Sequence, residues 1–213
     1  SAKKFKKTIA FNLELSKKSG SSSTWVLSNH DVIRHATRYG LPKKTNFEKW
    51  VMTDGTSPEL DREKGQTRAR AATMLLLALP GSTYLYQGEE LGLPEHTTLE
   101  AKHRQDPTFF RTNGKRVGRD GCRVPLPWES NGGTSLGFNS TGKACIPQPS
   151  IYRDYSRDLQ RNDPDSTLEL YHRALRLRKE LNLGGGSFAW EPSLVSESSL
   201  SYRNGEILVV HNF

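Results

Sequence analysis

The sequence predicts an α/β fold followed by a short antiparallel β segment. Three observations carry this. Two short runs, Thr24-Trp-Val-Leu27 and Ser82-Thr-Tyr-Leu-Tyr86, are rich in β-branched, aromatic and aliphatic residues and read as buried strands that end in polar residues. Residues 66–79 between them carry a strong apolar helix pattern, so strand, helix and strand make a βαβ unit. Past residue 184 the texture changes to two period-two runs around Asn204-Gly205, a hairpin signal.

Each element can be justified in order. Residues 2 to about 17 place Phe5, Ile9 and Leu13 four apart among lysines, which predicts an amphipathic helix. Ser19-Gly20-Ser21-Ser22-Ser23 stops it and leads into the first strand. Residues 32–65 are polar and broken by Gly40, Pro42, Gly55 and Pro58, so one long strand-to-helix loop is expected. The 66–79 helix opens with Arg68 and Arg70 and continues through Ala, Met and Leu, apolar almost all round, which predicts burial on most sides. Pro80-Gly81 ends it. Residues 91 to about 162 form one excursion rich in Gly, Pro and Arg. A third helix is expected over 163–181, with Asp163 as N-cap and Pro164 at the first helical position. Leu168, Tyr171, Leu175 and Leu177 or Arg178 would trace its inner face, and Gly184-Gly185-Gly186 terminates it.

Composition excludes several classes. The chain has 213 residues, 34 % of them hydrophobic, enough for one sizeable core or one domain plus part of another. No apolar run approaches the roughly 20 residues that span a bilayer, so no membrane partner is expected. The N-terminal lysines are not followed by an apolar stretch and do not read as a secretory signal. The net charge of +8 comes from Lys3, Lys4, Lys6 and Lys7 and from arginines scattered among acids. No aromatic-interleaved basic stripe appears, so no nucleic-acid partner is expected. Cys122 and Cys145 lack metal-like spacing; they read as free thiols of a reducing, cytoplasmic compartment, with a single disulfide as the other possibility.

The first strand is followed by Ser28-Asn29-His30-Asp31. In parallel α/β architectures, polar residues just past the carboxyl end of a strand line the mouth where ligands bind. An adjacent His30 and Asp31 can hydrogen-bond vicinal hydroxyls and hold negative charge beside a developing positive one. The alternative is that Asp31 caps the next helix. Arg34, three residues on, could orient the acidic group or make a simple salt bridge. Glu89 and Glu90 are neighbours at a strand end, so their side chains point apart and they are not expected to be a catalytic pair.

These residues carry a family resemblance. Ser28-Asn29-His30-Asp31 resembles the fourth signature region of glycoside hydrolase family 13, the α-amylase superfamily. Residues 79–92, Leu-Pro-Gly-Ser-Thr-Tyr-Leu-Tyr-Gln-Gly-Glu-Glu-Leu-Gly, are similar to that family's junction of helix seven and strand eight. Residues 118–128, Gly-Arg-Asp-Gly-Cys-Arg-Val-Pro-Leu-Pro-Trp, resemble the Arg-x-Pro-x-x-Trp segment of its α-glucosidase branch, and 163–181 resembles barrel helix eight. The resemblance covers nearly all of residues 5–213. It implies that residues 1–183 are the C-terminal part of a (β/α)8 TIM barrel, about helix six to helix eight. Residues 184–213 would then begin a C-terminal antiparallel β-sandwich.

The resemblance also implies roles. Asp31 would be the family's third acidic residue, gripping hydroxyls of the sugar at the cleavage site and favouring an oxocarbenium-like transition state. His30 would be the neighbouring hydroxyl donor, and Arg123 would reach the non-reducing end of the glucose with its planar fork. The implied parent is a retaining α-glucosidase acting on terminal α-linked glucose of short oligosaccharides or disaccharides, with no cofactor and no metal. A sucrose or trehalose isomerase, a transglycosylase and a non-catalytic binding subunit share the scaffold. Such barrels typically take ~250 residues, and retaining enzymes need two carboxyl groups about 5–5.5 Å apart. The resemblance puts that nucleophile and acid on strands four and five, upstream of these residues. The chain is therefore expected to be a fragment, inactive by itself.

Overall fold

A computed structural model of the protein describes residues 2–194 and 196–213. In chain order it contains α1 (Ala2–Ser19), β1 (Thr24–Val26), α2 (His35–Gly40), α3 (Phe47–Val51), α4 (Arg62–Leu77) and β2 (Ser82–Tyr84). These are followed by α5 (Pro107–Arg111), α6 (Arg157–Gln160), α7 (Thr167–Glu180), β3 (Phe188–Trp190), β4 (Ser199–Asn204) and β5 (Ile207–Asn212). The chain divides into two compact units. One gathers the residues up to Val26 with Ala71–Tyr84 and His172–Phe213; the other is Leu27–Arg70 with Leu85–Tyr171. No helix among the described residues is long and apolar enough to cross a membrane. Cys122 is a buried free thiol and Cys145 an exposed one, so no disulfide joins them.

In the first unit β1 and β2 are parallel neighbours, with Trp25 opposite Thr83 and Val26 opposite Tyr84. Helix α4 lies between them in sequence, which is the βαβ order expected. The strands are not buried on both faces, however: Trp25 is buried and donates its indole N–H to Pro80 O (2.6 Å), while Thr24, Val26 and Tyr84 are exposed. A sheet of two strands packs one face and leaves the other open. Helix α1 turns Ile9 inward with Phe5 and Leu13 beside it, and ends at Gly20 in the left-handed region (φ 66°) with Ser21 N–H donating to Ser16 O.

The carboxyl end of α4 organises this unit. Its last carbonyls have no intrahelical partner and must be satisfied elsewhere. Three side chains do so. Tyr202 Oη donates to Leu75 O (3.0 Å) and Arg178 Nη1 to Leu77 O, and just past the helix Asn204 Nδ2 donates to Ala78 O (2.9 Å) and Arg178 Nη1 to Leu79 O (2.7 Å). Arg178 also donates to Gly81 O, and its charge suits the negative end of a helix. Tyr202 and Asn204 belong to the antiparallel sheet β3-β4-β5. The β4–β5 turn is Gly205-Glu206, because Asn204 still pairs with Ile207; the expected turn was Asn204-Gly205. Asn204 stays in the strand because its buried amide donates to Leu183 O (2.9 Å) as well as to Ala78 O.

The second unit has little regular structure and two small cores. Leu91, Leu93, Leu99, Val124, Tyr152 and Leu168 are among the buried residues of the larger core. Leu41, Trp50 and Val51 form the other, with Ile33, Leu60 and Val117 packed on it. The expected loop 32–65 contains α2 and α3, helices too short to show a period. Helix α4 starts at Arg62 rather than residue 66, because Asp61 Oδ1 accepts from Lys64 N–H (3.0 Å) and caps it.

Helix α7 starts at Thr167, not near 163. Ser166 Oγ accepts from Glu169 N–H (3.1 Å) as its cap, while Asp163 Oδ1 closes a turn onto Asp165 N–H. Leu168 and Tyr171 are buried as expected, with Thr167 and Ala174 beside them; Leu175 and Leu177 are exposed, and Arg178 is half-buried in place of Leu177.

Gly81 has φ 103°, and a Cβ there would lie 2.3 Å from Ser23 O. Gly20 is also left-handed but has open space around it. Gly81→Ala is therefore expected to cost clearly more than the about 1 kcal/mol of a strained left-handed alanine, and Gly20→Ala about that amount. Urea unfolding midpoints of the two variants check this; equal midpoints would rule out the close approach at Gly81.

Candidate functional site

The residues that follow β1 in the chain are shaped by two local hydrogen bonds. Ser28 Oγ accepts from His35 N–H (3.1 Å) and lies 2.8 Å from His35 Nδ1, so Ser28 serves the first turn of α2. Asn29 Oδ1 accepts from Asp31 N–H (2.8 Å), a side-chain turn that is closed without the Asp31 carboxylate. Asp31 caps nothing. Its Oδ1 instead meets Arg119 Nη1 at 2.7 Å and Arg123 Nη2 at 3.2 Å, with His30 Nε2 at 3.5 Å. Arg123 Nε donates to His30 O (2.9 Å), which ties the two segments together.

Arg119 is aimed by a second carboxylate. Asp106, with no exposed side-chain surface, accepts from Arg119 Nε (2.6 Å) and Arg119 N–H (2.9 Å), and caps α5 by accepting from Thr108 N–H (2.9 Å). The Arg119 guanidinium, aided by these N–H donors, holds the Asp106 carboxyl well below the usual carboxylate range against the effect of burial. Asp120 supports the arrangement from behind, its Oδ2 accepting from Gln105 N–H (2.9 Å) and Asp106 N–H (3.0 Å). Gly118 has φ 74°, and a Cβ there would stand 2.7 Å from Asp106 Cγ, so only glycine lets the strap close on the carboxylate. The cluster opens onto a cavity of about 590 Å³ whose walls include Asp31, Arg119, Arg38, Phe47, Glu95 and Cys122.

Thus Asp31, His30 and Arg123 are brought together, and Arg34 is not. Arg34 is 2 % exposed and makes no pair with Asp31. Its Nη1 donates to Gln87 O (2.9 Å), its Nη2 to Cys122 O (2.9 Å), and its guanidinium lies 5.3 Å from the Tyr86 ring. A guanidinium spent on buried carbonyls cannot contact a ligand, so the substrate-binding role expected for Arg34 is corrected to that of an internal strut.

Sequence reasoning missed Arg119 and Asp106. Two arginines four apart in Gly118-Arg-Asp-Gly-Cys-Arg123 were a signal for the first, and Asp106-Pro107 at a helix start was a signal for the second as a cap. Glu89 and Glu90 do not line the cavity: Tyr171 Oη donates to Glu89 Oε1 (3.3 Å), and Gly88 N–H donates to Glu90 Oε2 (2.7 Å). Among the described residues no group of three or more His, Cys, Asp or Glu could hold a metal ion.

The sequence pattern of the alpha-amylase catalytic domain matches residues 1–184. The chain belongs to that family. Among curated alpha-amylase relatives it is 36 % identical over 157 residues to a probable alpha-glucosidase of Rhizobium meliloti, covering 73 % of this chain and 24 % of that protein. It is 26 % identical over 194 residues to the amino acid transporter heavy chain SLC3A1 of Rattus norvegicus, covering 88 % of this chain and 26 % of that protein. Among solved structures it matches an alpha-glucosyl transfer enzyme, XgtA, with a TM-score of 0.69 and 30 % identity, over 95 % of this chain and 34 % of that one. The chain spans about a quarter of the length of these curated relatives. Family membership carries the (β/α)8 barrel architecture to its α/β part.

Two predictions follow from the charges in this unit. Arg119→Gln leaves the buried Asp106 without its main partner, so the melting temperature should fall by several degrees, whereas Asp31→Asn, at an accessible carboxylate, should leave it nearly unchanged. Thermal unfolding followed by circular dichroism checks both, and an unshifted Arg119→Gln curve would refute the role of the pair.

The second concerns Glu89, which burial pushes up to about 7. Its folded form keeps a proton that the unfolded chain loses near pH 4.5, so its contribution to stability is complete below that pH and declines as pH rises towards 7. Relative to wild type, Glu89→Gln should gain stability across this window by up to about 1.4 kcal/mol per pH unit. Urea titrations at several pH values would show parallel profiles if the proton were absent.

Proposed function

We propose that this chain is part of a retaining α-glucosidase that releases terminal α-linked glucose from short oligosaccharides or disaccharides. The observation that carries the reading is Asp31: an accessible carboxylate, free of any capping duty, held between two arginines on a large cavity in an alpha-amylase family chain. In this reading Asp31 accepts hydrogen bonds from vicinal hydroxyls of the glucose and opposes the positive charge that grows on the sugar ring in the transition state. His30 contributes a further donor. Arg123 reads the non-reducing end, and Arg119 holds the Asp31 carboxylate in position, so that little reorganisation is needed as charge develops.

The nucleophile and general acid are proposed to lie outside these residues, on barrel strands four and five. Residues 184–213 are proposed to begin a C-terminal β domain, the barrel portion ending at residue 183. The likeness to an alpha-glucosyl transfer enzyme favours glucosyl transfer to an acceptor sugar as the second reading. The likeness to a transporter heavy chain makes a binding subunit the third.

Assayed alone, the 213-residue chain should release no nitrophenol from p-nitrophenyl α-glucoside above background. Turnover proportional to its concentration and abolished by Glu89→Gln or Glu90→Gln would overturn the placement of the missing carboxylates. In a longer protein containing these residues and the preceding barrel strands, Asp31→Asn should lower kcat on the order of 10²–10³ with little change in KM. Normal turnover there would leave Asp31 a purely structural residue. Products formed with maltose as acceptor separate hydrolysis from transfer.

A further inference from the structure

A second polar cavity in the same unit shares no residue with the Asp31 cluster. It measures about 440 Å³, within the range of roughly 300–1,000 Å³ typical of small-molecule sites. Its walls are Trp128, Glu129, Arg157, Asp158, Arg161 and Asn162. Trp128 is 43 % exposed, a large apolar ring left in solvent, with the Arg157 guanidinium 5.8 Å from its centroid.

The backbone beneath the ring is firmly tied. Trp128 N–H donates to Leu136 O (2.8 Å), Asp158 N–H donates to Trp128 O (3.1 Å), and Arg157 N–H donates to Pro127 O (3.1 Å). The Asp158 carboxylate braces the two walls by accepting from Ser130 N–H (2.9 Å), Ser130 Oγ (2.9 Å), Ser156 Oγ (2.6 Å) and Leu159 N–H (2.9 Å). Gly137, with φ 73°, leaves room for Glu129, whose Cβ lies 3.0 Å from where a Gly137 Cβ would stand.

Four groups on this platform remain unspent. Among the described residues the Trp128 indole N–H, the Glu129 carboxylate, the Arg161 guanidinium and the Asn162 side-chain amide have no hydrogen-bond or ion-pair partner. We propose that this cavity is a second binding site, for a neutral saccharide laid against the Trp128 ring.

The chemistry selects that class. A pyranose ring has an apolar face of C–H groups that packs on an indole, and a rim of hydroxyls that both donate and accept. The platform matches it with an aromatic face and with unspent donors and an unspent acceptor at its edge. Two arginines are balanced by Glu129 and Asp158, so the wall carries no surplus positive charge to select a phosphate. Because the ring and the brace are already held by the backbone, little ordering accompanies binding.

The test uses the 213-residue chain labelled with nitrogen-15, in which the indole N–H resonance of Trp128 is assigned by its loss in Trp128→Phe. Maltotriose, cellotriose and inorganic phosphate are titrated separately. A saccharide should shift the Trp128 resonance saturably, and phosphate should not. Arg161→Ala, at an exposed side chain without a folding role, should weaken saccharide binding by about tenfold, equivalent to about 1.4 kcal/mol. Asp31→Asn should leave it unchanged.

Binding of cellotriose alone would support the site while separating it from the α-glucosidase reading, on which only the choice of maltotriose rests. The proposal is overturned if neither saccharide moves the resonance, if phosphate displaces the saccharide, or if Arg161→Ala binds as tightly as wild type.

Discussion

A buried stretch of chain without a helix or a ladder must still satisfy every backbone N–H and carbonyl. That requirement governs this protein, because the second unit has long segments of little regular structure. Charged and polar side chains meet it. Arg34 donates to two carbonyls, and Arg104 donates to Val117 O (3.1 Å) and Leu99 O (2.9 Å). Asp106, Asp120 and Asp158 each accept from at least two backbone N–H groups. In the first unit Arg178, Tyr202 and Asn204 do the same for the end of α4. A hydrogen bond to a charged group is worth about 1.5–3 kcal/mol, and an orphaned buried group costs about as much, so these side chains stand in for missing secondary structure.

The candidate site is a by-product of the same economy. Asp106 has to close α5 and the strap around Gly118, and in doing so it anchors the guanidinium that reaches Asp31. A single arginine thus links a buried and an accessible carboxylate: its Nε serves Asp106 and its Nη1 serves Asp31. Asp31 itself takes no part in holding the backbone, unlike Asp106 and Asp120 behind it.

What was legible from the residues follows the range of the forces involved. Helix α1 and the β4–β5 hairpin rest on local periodicity and turn chemistry, and the parallel pairing of β1 with β2 on the strand–helix–strand order; each is legible in the residues. His30, Asp31 and Arg123 were singled out from a strand end and a family resemblance, and they lie together. The role of Arg34 is not legible in the residues, because its acceptor at Cys122 is 88 residues away, beyond any local pattern. Asp163-Pro164 is the stronger short-range signal for the α7 cap, yet Ser166 holds the first turn. Asn204 looked like a turn residue until its distant carbonyl partners kept it in a strand. Arg119 and Asp106 act as a pair across 13 residues of irregular chain, which no periodicity encodes.

The two thiols also differ in a way that has a practical use. Cys122 lies under His30 and Arg119, its thiol directed at their carbonyl oxygens, and burial pushes its pKa up to about 12. Alkylating reagents attack the thiolate, so near neutral pH Cys122 is shielded both sterically and by its own proton. Cys145 is exposed. The unaltered chain therefore already carries one addressable handle, and a maleimide fluorophore or spin label can be placed at Cys145 without first engineering away the thiol beneath the cluster.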